Sequence, residues 1–326
     1  MYPVPSAPKA GIFIEQQVKG LRSTGVEVDV LLANRSEDGI LCYLQLAGKV
    51  RQKVVEYKPD LVHVMYGGVL ARIVTKAISD VPVIVSYCGT DLIGADYYPL
   101  YRRIMIDEGV RSSRIAAKMA KGVILKSNRM RDYLPEGVDP ERVWVVPNGV
   151  DLSLLKPMVT TACKEKLGWD AGRFHVLFPA SADNLHKRFE LAVGAVKLLT
   201  QQGIPAVIHP VKGVLHDDIP VWLNAADVVI LTSRHEGSPN VIKEALACNK
   251  PVVSVDVGDV AERIEGVIGC HIAEPTPSSL AEKLTLVYHG ERSVRGDIAM
   301  KGLSLEETAE RLKSIYTNVI ERWQSN

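Results

Sequence analysis

The stretch from Thr232 to Asp256, TSRHEGSPNVIKEALACNKPVVSVD, constrains the rest of the chain most. It reads as a strand end, a short loop, a helix and the next strand. Ser238 suits an N-cap because its hydroxyl can accept an orphan backbone N–H, and Pro239 then falls at the first helical position, where a missing N–H costs nothing. Apolar residues at helical spacing (Val241, Ile242, Ala245, Leu246, Cys248) carry the helix to Asn249, which tolerates a left-handed cap, and Pro251 forbids continuation. The start of such a helix carries partial positive charge and free N–H groups, a seat for a phosphate or diphosphate. Two carboxylates frame the seat: Glu236 in the loop, and Glu244 inside the helix, leaning back toward its start. Carboxylates repel phosphate, so their natural partners are hydroxyl groups such as those of a ribose or hexose. The pattern points to a nucleotide sugar, and it equally suits an ordinary βαβ crossover whose two acids are solvated.

The run HEGSPNVIKEALACNKPVVSVDVGD resembles the signature of the GT4 family of retaining glycosyltransferases, with seven residues between two glutamates, here Glu236 and Glu244. By that resemblance Glu244 holds the ribose hydroxyls and Glu236 the transferred sugar. Backbone N–H groups of Gly237, Ser238, Asn240 and Val241 then lie near sugar and diphosphate. The implied fold is α/β of the GT-B kind, two Rossmann-like domains facing one another across a cleft. Residues 1–155 are expected to form the acceptor-side domain and 156–304 the nucleotide-sugar-binding domain. Residues 305–326 are expected to form a helix packing back toward the N-terminal domain.

Composition narrows the classes. A chain of 326 residues is long enough for two cores, and 39 basic against 38 acidic side chains make no global field for nucleic acid. No apolar run approaches the ~20 residues needed to span a bilayer and no signal peptide opens the chain, so a cytoplasmic location is expected. Five cysteines without a CxxC pair read as reduced thiols. The scattered histidines lack ligand spacing, and no metal site or cofactor is expected, the nucleotide sugar being a substrate.

The N-terminal half opens with a proline-rich loop, Met1 to Ala10, and an amphipathic helix ending near Gly25. A GT4 chain normally has an apolar strand before this loop. None precedes it here, so the N-terminal sheet is expected to lack its first strand, or the sequence to begin downstream of one. Val26 to Leu32 reads as the second strand of that scheme. Further apolar runs, Asp60 to Tyr66 and Val81 to Tyr87, alternate with helical stretches, the signature of a parallel sheet. Ligands of such sheets bind at the carboxyl ends of the strands, which singles out the loops after Tyr66 and Tyr87. YCGTDLIG resembles the family's HGTD-type loop, with Cys88 where histidine is usual. Cysteine cannot supply a cationic hydrogen bond at neutral pH. Cys88, Gly89, Thr90, Asp91 and Tyr66 are the acceptor-side candidates, and Asp91 equally suits a capped tight turn. From Tyr97 to Arg131 basic residues outnumber acids, with several beside apolar residues at helical intervals. This suits peripheral contact with an anionic membrane, at the inner face where a lipid-linked acceptor would wait, and also a solvated basic face.

In the C-terminal half a strand from Phe174 and a helix from about His186 enclose a loop with Lys187 and Arg188. Relatives neutralise the leaving diphosphate with an arginine and, a few residues later, a lysine. Lys187 matches the second, Ser181 or Ala182 stands at the first, and Arg188 is the candidate to compensate. Gly213, in VKGV, is expected to pass the nucleotide base with its backbone. The activity implied is transfer of a hexose-type sugar from a nucleoside diphosphate sugar to a hydroxyl acceptor in cell-surface polysaccharide or glycolipid synthesis, with retention and without metal. The alternative is a catalytically weak nucleotide-sugar-binding protein of the same fold.

Overall fold

A computed structural model of the chain describes residues 2–3, 11–33, 39, 41–290 and 292–325. Residues 1 and 4–10, most of the proline-rich start, lie outside the described residues. In chain order the helices and strands are α1 (Ile12–Ser23), α2 (Leu41–Tyr57), β1 (Val62–Met65), α3 (Gly68–Ala77), β2 (Val83–Ser86), α4 (Leu100–Met119), β3 (Gly122–Leu125) and β4 (Val143–Val145). There follow α5 (Thr160–Leu167), β5 (Phe174–Phe178), α6 (Phe189–Gln201), β6 (Ala206–Pro210), α7 (Ile219–Ala225), β7 (Val228–Leu231), α8 (Asn240–Ala247) and β8 (Val252–Val255). The last are α9 (Val260–Ile264), β9 (His271–Ala273), α10 (Pro277–His289) and α11 (Leu305–Gln324). The chain divides into two compact units, Met1–Gly149 with Leu305–Asn326, and Val150–Ser304. Among the described residues no helix is long and apolar enough to cross a membrane.

Unit one is built on a four-stranded parallel sheet in the order β1-β2-β3-β4. Side chains alternate between its faces. Val83, Val85, Val123 and Leu125 face a core with Leu46, Val50 and Val74. The intervening Ile84 and Ile124 face Leu21 of α1 and Leu312, Ile315 and Val319 of α11. Burial of both faces explains why the strands read as continuous apolar runs. Close approach of α1 to α11 rests on Gly20, where a Cβ would lie 3.2 Å from the Leu305 carbonyl oxygen and 3.3 Å from the Ala309 Cβ. Lys313 Nζ donates to the Thr24 carbonyl at 2.6 Å, and Arg311 Nη2 to the Val145 carbonyl at 2.9 Å.

The expected strand at Val26 to Leu32 does not form. The segment joins no ladder, and β1 lies at the edge of the four-stranded sheet. A strand needs a partner for its N–H and C=O groups, and the strand that would sit between this segment and β1 is absent among the described residues. Val26 and Val28 instead pack as partly buried side chains against the cluster of α1 and α11.

Unit two holds a five-stranded parallel sheet in the order β6-β5-β7-β8-β9. Phe174, Val176, Leu177 and Phe178 of β5 and all of β7 are buried in its core. The chain leaves β5 toward β6 on one side and returns to β7 on the other. That reversal sends the connections after β5 and β7 to opposite sides of the sheet, and ligands of open α/β sheets bind at the carboxyl ends of the strands at such a point.

Lys164 Nζ reaches both Asp227 carboxylate oxygens, at 3.0 and 2.9 Å, and Asp227 Oδ2 also accepts the His175 N–H at 2.8 Å. His175 Nε2 lies 2.7 Å from the Asp170 carbonyl, which can only accept, so Nε2 carries the proton and Nδ1 accepts from His209 Nε2 at 2.9 Å. Trp169 stacks on the His209 ring at 3.7 Å and on the His175 ring at 4.8 Å. A second proton on this pair would set two N–H groups against each other. Burial, aided by the His175 and Arg173 charges, brings the His209 pKa down to about 4. The unfolded chain takes up this proton near pH 6.5, before the folded chain does. Stability is therefore lost as pH falls from about 6.5 toward about 4. The melting temperature should drop through that window, and His209→Gln should flatten the drop; an unchanged slope in the variant would count against the pair.

Candidate functional site

At the strand ends of unit two the loops after β5 and β7 are stitched together by polar contacts. Thr232 Oγ1 donates to the Lys187 carbonyl at 2.6 Å, and the Arg234 N–H donates to the His186 carbonyl at 3.0 Å. Arg188 sits in a left-handed conformation with φ 50°, between the single turn Leu185–Lys187 and α6. Its Nε donates to the Thr232 carbonyl at 2.6 Å and its Nη2 to the Ser233 carbonyl at 2.9 Å. Arg188 thus spends these two donors holding the end of β7, a positioning task that its place beside Lys187 does not reveal.

The stitching brings Lys187 Nζ within 2.5 Å of Glu236 Oε1, and His186 Nε2 stands 3.7 Å from the same oxygen. Burial by itself would raise the Glu236 carboxyl, yet the Lys187 charge and the bonds from its neighbours outweigh it and bring the pKa down to about 2. Glu236 is ionised and paired. Glu244 differs: burial raises its carboxyl against the charges of His216 and Lys243, and it accepts no hydrogen bond among the described residues. One acid is engaged by protein and the other is open to an incoming donor.

The helix start also departs from expectation. Helix α8 begins at Asn240 with Pro239 as its N-cap, and Ser238 does not cap it. The Ser238 hydroxyl donates instead to Asp259 Oδ2 at 2.9 Å, and that oxygen also takes Arg263 Nε at 3.0 Å. Gly258, with φ 57°, lies so close that a Cβ there would be 2.7 Å from the Gly237 carbonyl oxygen. The loop before α8 is therefore held from behind by the loop after β8. The N–H groups of Gly237, Ser238 and Val241 donate to no described residue, because a capping hydroxyl is not supplied. The helix ends as its residues dictate: Asn249 takes φ 55°, and the Lys250 N–H closes on the Ala245 carbonyl at 2.9 Å. Gly213, with φ 77°, occupies a turn with nothing within 4 Å of its missing Cβ.

In unit one Asp91 acts as a brace. Its carboxylate accepts the N–H groups of Gly67 at 2.8 Å, Gly89 at 2.8 Å and Cys88 at 3.0 Å, tying the loop after β1 to the loop after β2. Ser113 Oγ extends the tie, donating to the Asp91 carbonyl at 2.5 Å and accepting the Gly68 N–H at 2.6 Å. Tyr66 takes φ 76°, and its ring meets Phe13 edge-on at 5.9 Å. Burial, with Asp91 adding, pushes the Cys88 thiol up to about 12. It is a neutral S–H at physiological pH. Thr90 is exposed at the start of the single turn Thr90–Ile93.

The profile of the family described as Glycosyltransferase Family 4 matches residues 10–154, and that of Glycosyl transferases group 1 matches residues 173–289. The chain belongs to glycosyltransferase family 4. Among curated relatives it is 27% identical over 224 residues to D-inositol 3-phosphate glycosyltransferase 1 of Catenulispora acidiphila. That match takes 57% of this chain and spans about half, 54%, of the relative's length. Among solved structures, sucrose-phosphate synthase of Thermosynechococcus elongatus aligns with TM-score 0.75 at 16% identity, over 97% of this chain and 95% of that one. Anabaena HepE, in complex with UDP and glucose, aligns with TM-score 0.64 at 19% identity, over 98% and 96% of the two chains. These likenesses identify the fold as GT-B.

Within the family 4 chain, the pairing of Lys187 with Glu236 makes a direct prediction. Lys187→Met removes the cation and leaves a half-buried carboxylate, which should cost about 1–3 kcal/mol at neutral pH. Adding Glu236→Gln should recover part of that loss, since the two positions share one interaction. Thermal unfolding of both singles and the double checks this, and strict additivity would count against the ion pair.

Proposed function

We propose that the protein is a retaining glycosyltransferase that moves a hexose-type sugar from a nucleoside diphosphate sugar to a hydroxyl acceptor, using no metal. The observation that carries this reading is the contrast at the strand ends of unit two: Glu236 is bound by Lys187, while Glu244 and the N–H groups of Gly237, Ser238 and Val241 meet no hydrogen-bond partner among the described residues. A diphosphate suits the open N–H groups at the tip of α8. A ribose suits Glu244, whose carboxylate can accept two hydroxyl hydrogens. Glu236 would meet the sugar ring. Lys187 donates one of its three ammonium hydrogens to Glu236 and keeps two for the phosphate oxygens.

No nucleophile is needed from the protein in this reading. As the glycosidic bond to the diphosphate breaks, negative charge grows on the departing oxygen. The helix tip and Lys187 stabilise it, each well-placed donor contributing roughly 3 kcal/mol to the rate. That same oxygen takes the proton of the incoming hydroxyl on the face it leaves, so configuration is retained. The HepE complex with UDP and glucose makes UDP-glucose the first donor to try, and the name of the Catenulispora relative makes a polyol phosphate a reasonable acceptor. Glu244→Ala should weaken UDP binding at least about tenfold, and donor turnover in parallel. Unimpaired binding would refute the assignment.

A second reading, a binding module with little turnover, is favoured by the neutral Cys88 where relatives carry histidine. Calorimetry with UDP and UDP-glucose, combined with an assay for released nucleotide, separates the two: binding without release favours the module.

Membrane contact belongs to the same proposal. The first turns of α4 expose Leu100, Tyr101, Ile104 and Met105, flanked by Arg102 and Arg103. Apolar side chains beside guanidinium groups suit an anionic bilayer surface at its cytoplasmic face. The protein should float with vesicles containing anionic lipid and remain behind with neutral ones; equal partitioning would remove the idea.

A further inference from the structure

The carboxyl ends of the unit-one strands hold a cation that the donor chemistry does not use. Lys126 directly follows β3, is 2% exposed, and makes no hydrogen bond among the described residues. An ammonium carries three hydrogens and ranks among the most costly groups to bury without partners. On the strand's two-residue period it shares the sheet face of Ile124, and with it the side of β1 and β2 that carries His63 and Ser86.

The described groups whose charges couple to it are already committed. Asp91, the acid whose field reaches Lys126, spends its carboxylate on the N–H groups of Gly67, Cys88 and Gly89. The Cys88 thiol is protonated. His63 has Nδ1 at 2.6 Å from the Tyr316 hydroxyl and Nε2 at 2.7 Å from Ser86 Oγ, and burial holds it neutral. The Tyr66–Phe13 contact brings the positive end of α1 to the same strand ends. Around Lys126 the described residues place donors and spent acceptors, and none of them brings an ionised group free to meet the ammonium.

We propose that Lys126 is the seat of an oxyanion, a phosphate or a carboxylate, carried by the acceptor substrate. The inference rests on the reading that unit one receives the acceptor, and it names the acceptor's class: a hydroxyl compound bearing a negative group. Lysine binds such a group as a point charge, so position and charge select the acceptor, with little demand on its planar geometry.

The test titrates the full chain with inorganic phosphate and, separately, with acetate, both with UDP held saturating so that the tip of α8 is occupied. The protein should bind at least one of the two anions. Lys126→Met should weaken that binding at least about tenfold, equivalent to ~1.4 kcal/mol, while Lys187→Met should leave it in place. Lys126→Met should also melt at the same or a higher temperature, because it replaces an unpaired buried charge with an apolar chain of similar length. Lys126→Gln serves as a second variant with the same expected loss. Binding of neither anion by the unaltered protein would overturn the proposal, as would unchanged affinity in both variants. Marked destabilisation of both would overturn it too, since the lysine would then be a structural cation. UDP affinity, measured alone beforehand, reports on the donor reading independently, so the two ideas can fail separately.

Discussion

The parallel pairing of β5 with β7, with Val176 beside Val228 and Leu177 beside Val229, governs what unit two can present to a ligand. Two strands that are neighbours in space but separated in sequence by β6 and its flanking helices end side by side. Their following loops must therefore meet. That meeting is sealed by main-chain acceptors: the carbonyls of Thr232 and Ser233 receive Arg188, and the carbonyl of Lys187 receives Thr232. Once the two loops are joined, Lys187 has little choice but to meet Glu236, and the tip of α8 is delivered beside them.

The two units treat their acids in opposite ways. In unit one Asp91 is consumed by three backbone N–H groups and makes a joint between two loops. In unit two Glu236 is consumed by a side-chain cation, while Glu244, one turn into α8, is consumed by nothing the described residues provide. Burial pushes the free Glu244 carboxyl upward and Lys187 pulls the bound Glu236 carboxyl downward. Residue type alone does not distinguish these acids; their partners do.

Much of the fold was legible because it depends on local pattern. Alternating apolar runs and helical stretches foretell parallel sheets, and Asn249 with Pro251 marks the end of α8. What was not legible depends on distant partners. Val26 to Leu32 has strand composition, yet a strand is a relation between segments and its neighbour is not there. Ser238 has capping chemistry, but Asp259 competes for its hydroxyl from more than twenty residues away. Arg188 reads as a phosphate ligand until the carbonyls of Thr232 and Ser233 are seen to hold it. Lys126 gave one faint signal, a lysine closing the apolar run GVIL, and only its burial turns that signal into a question of chemistry.

Gly258 shows how far the loop at the tip of α8 depends on a residue outside it. Its missing side chain lets the turn after β8 lie directly behind Gly237, and its neighbour Asp259 grips Ser238 from the same side. The loop before α8 and the turn behind it are thus one mechanical piece. A graft of this loop between members of the family should carry the whole span from Thr232 to Arg263, because the front of the loop alone would arrive without the wall that shapes it.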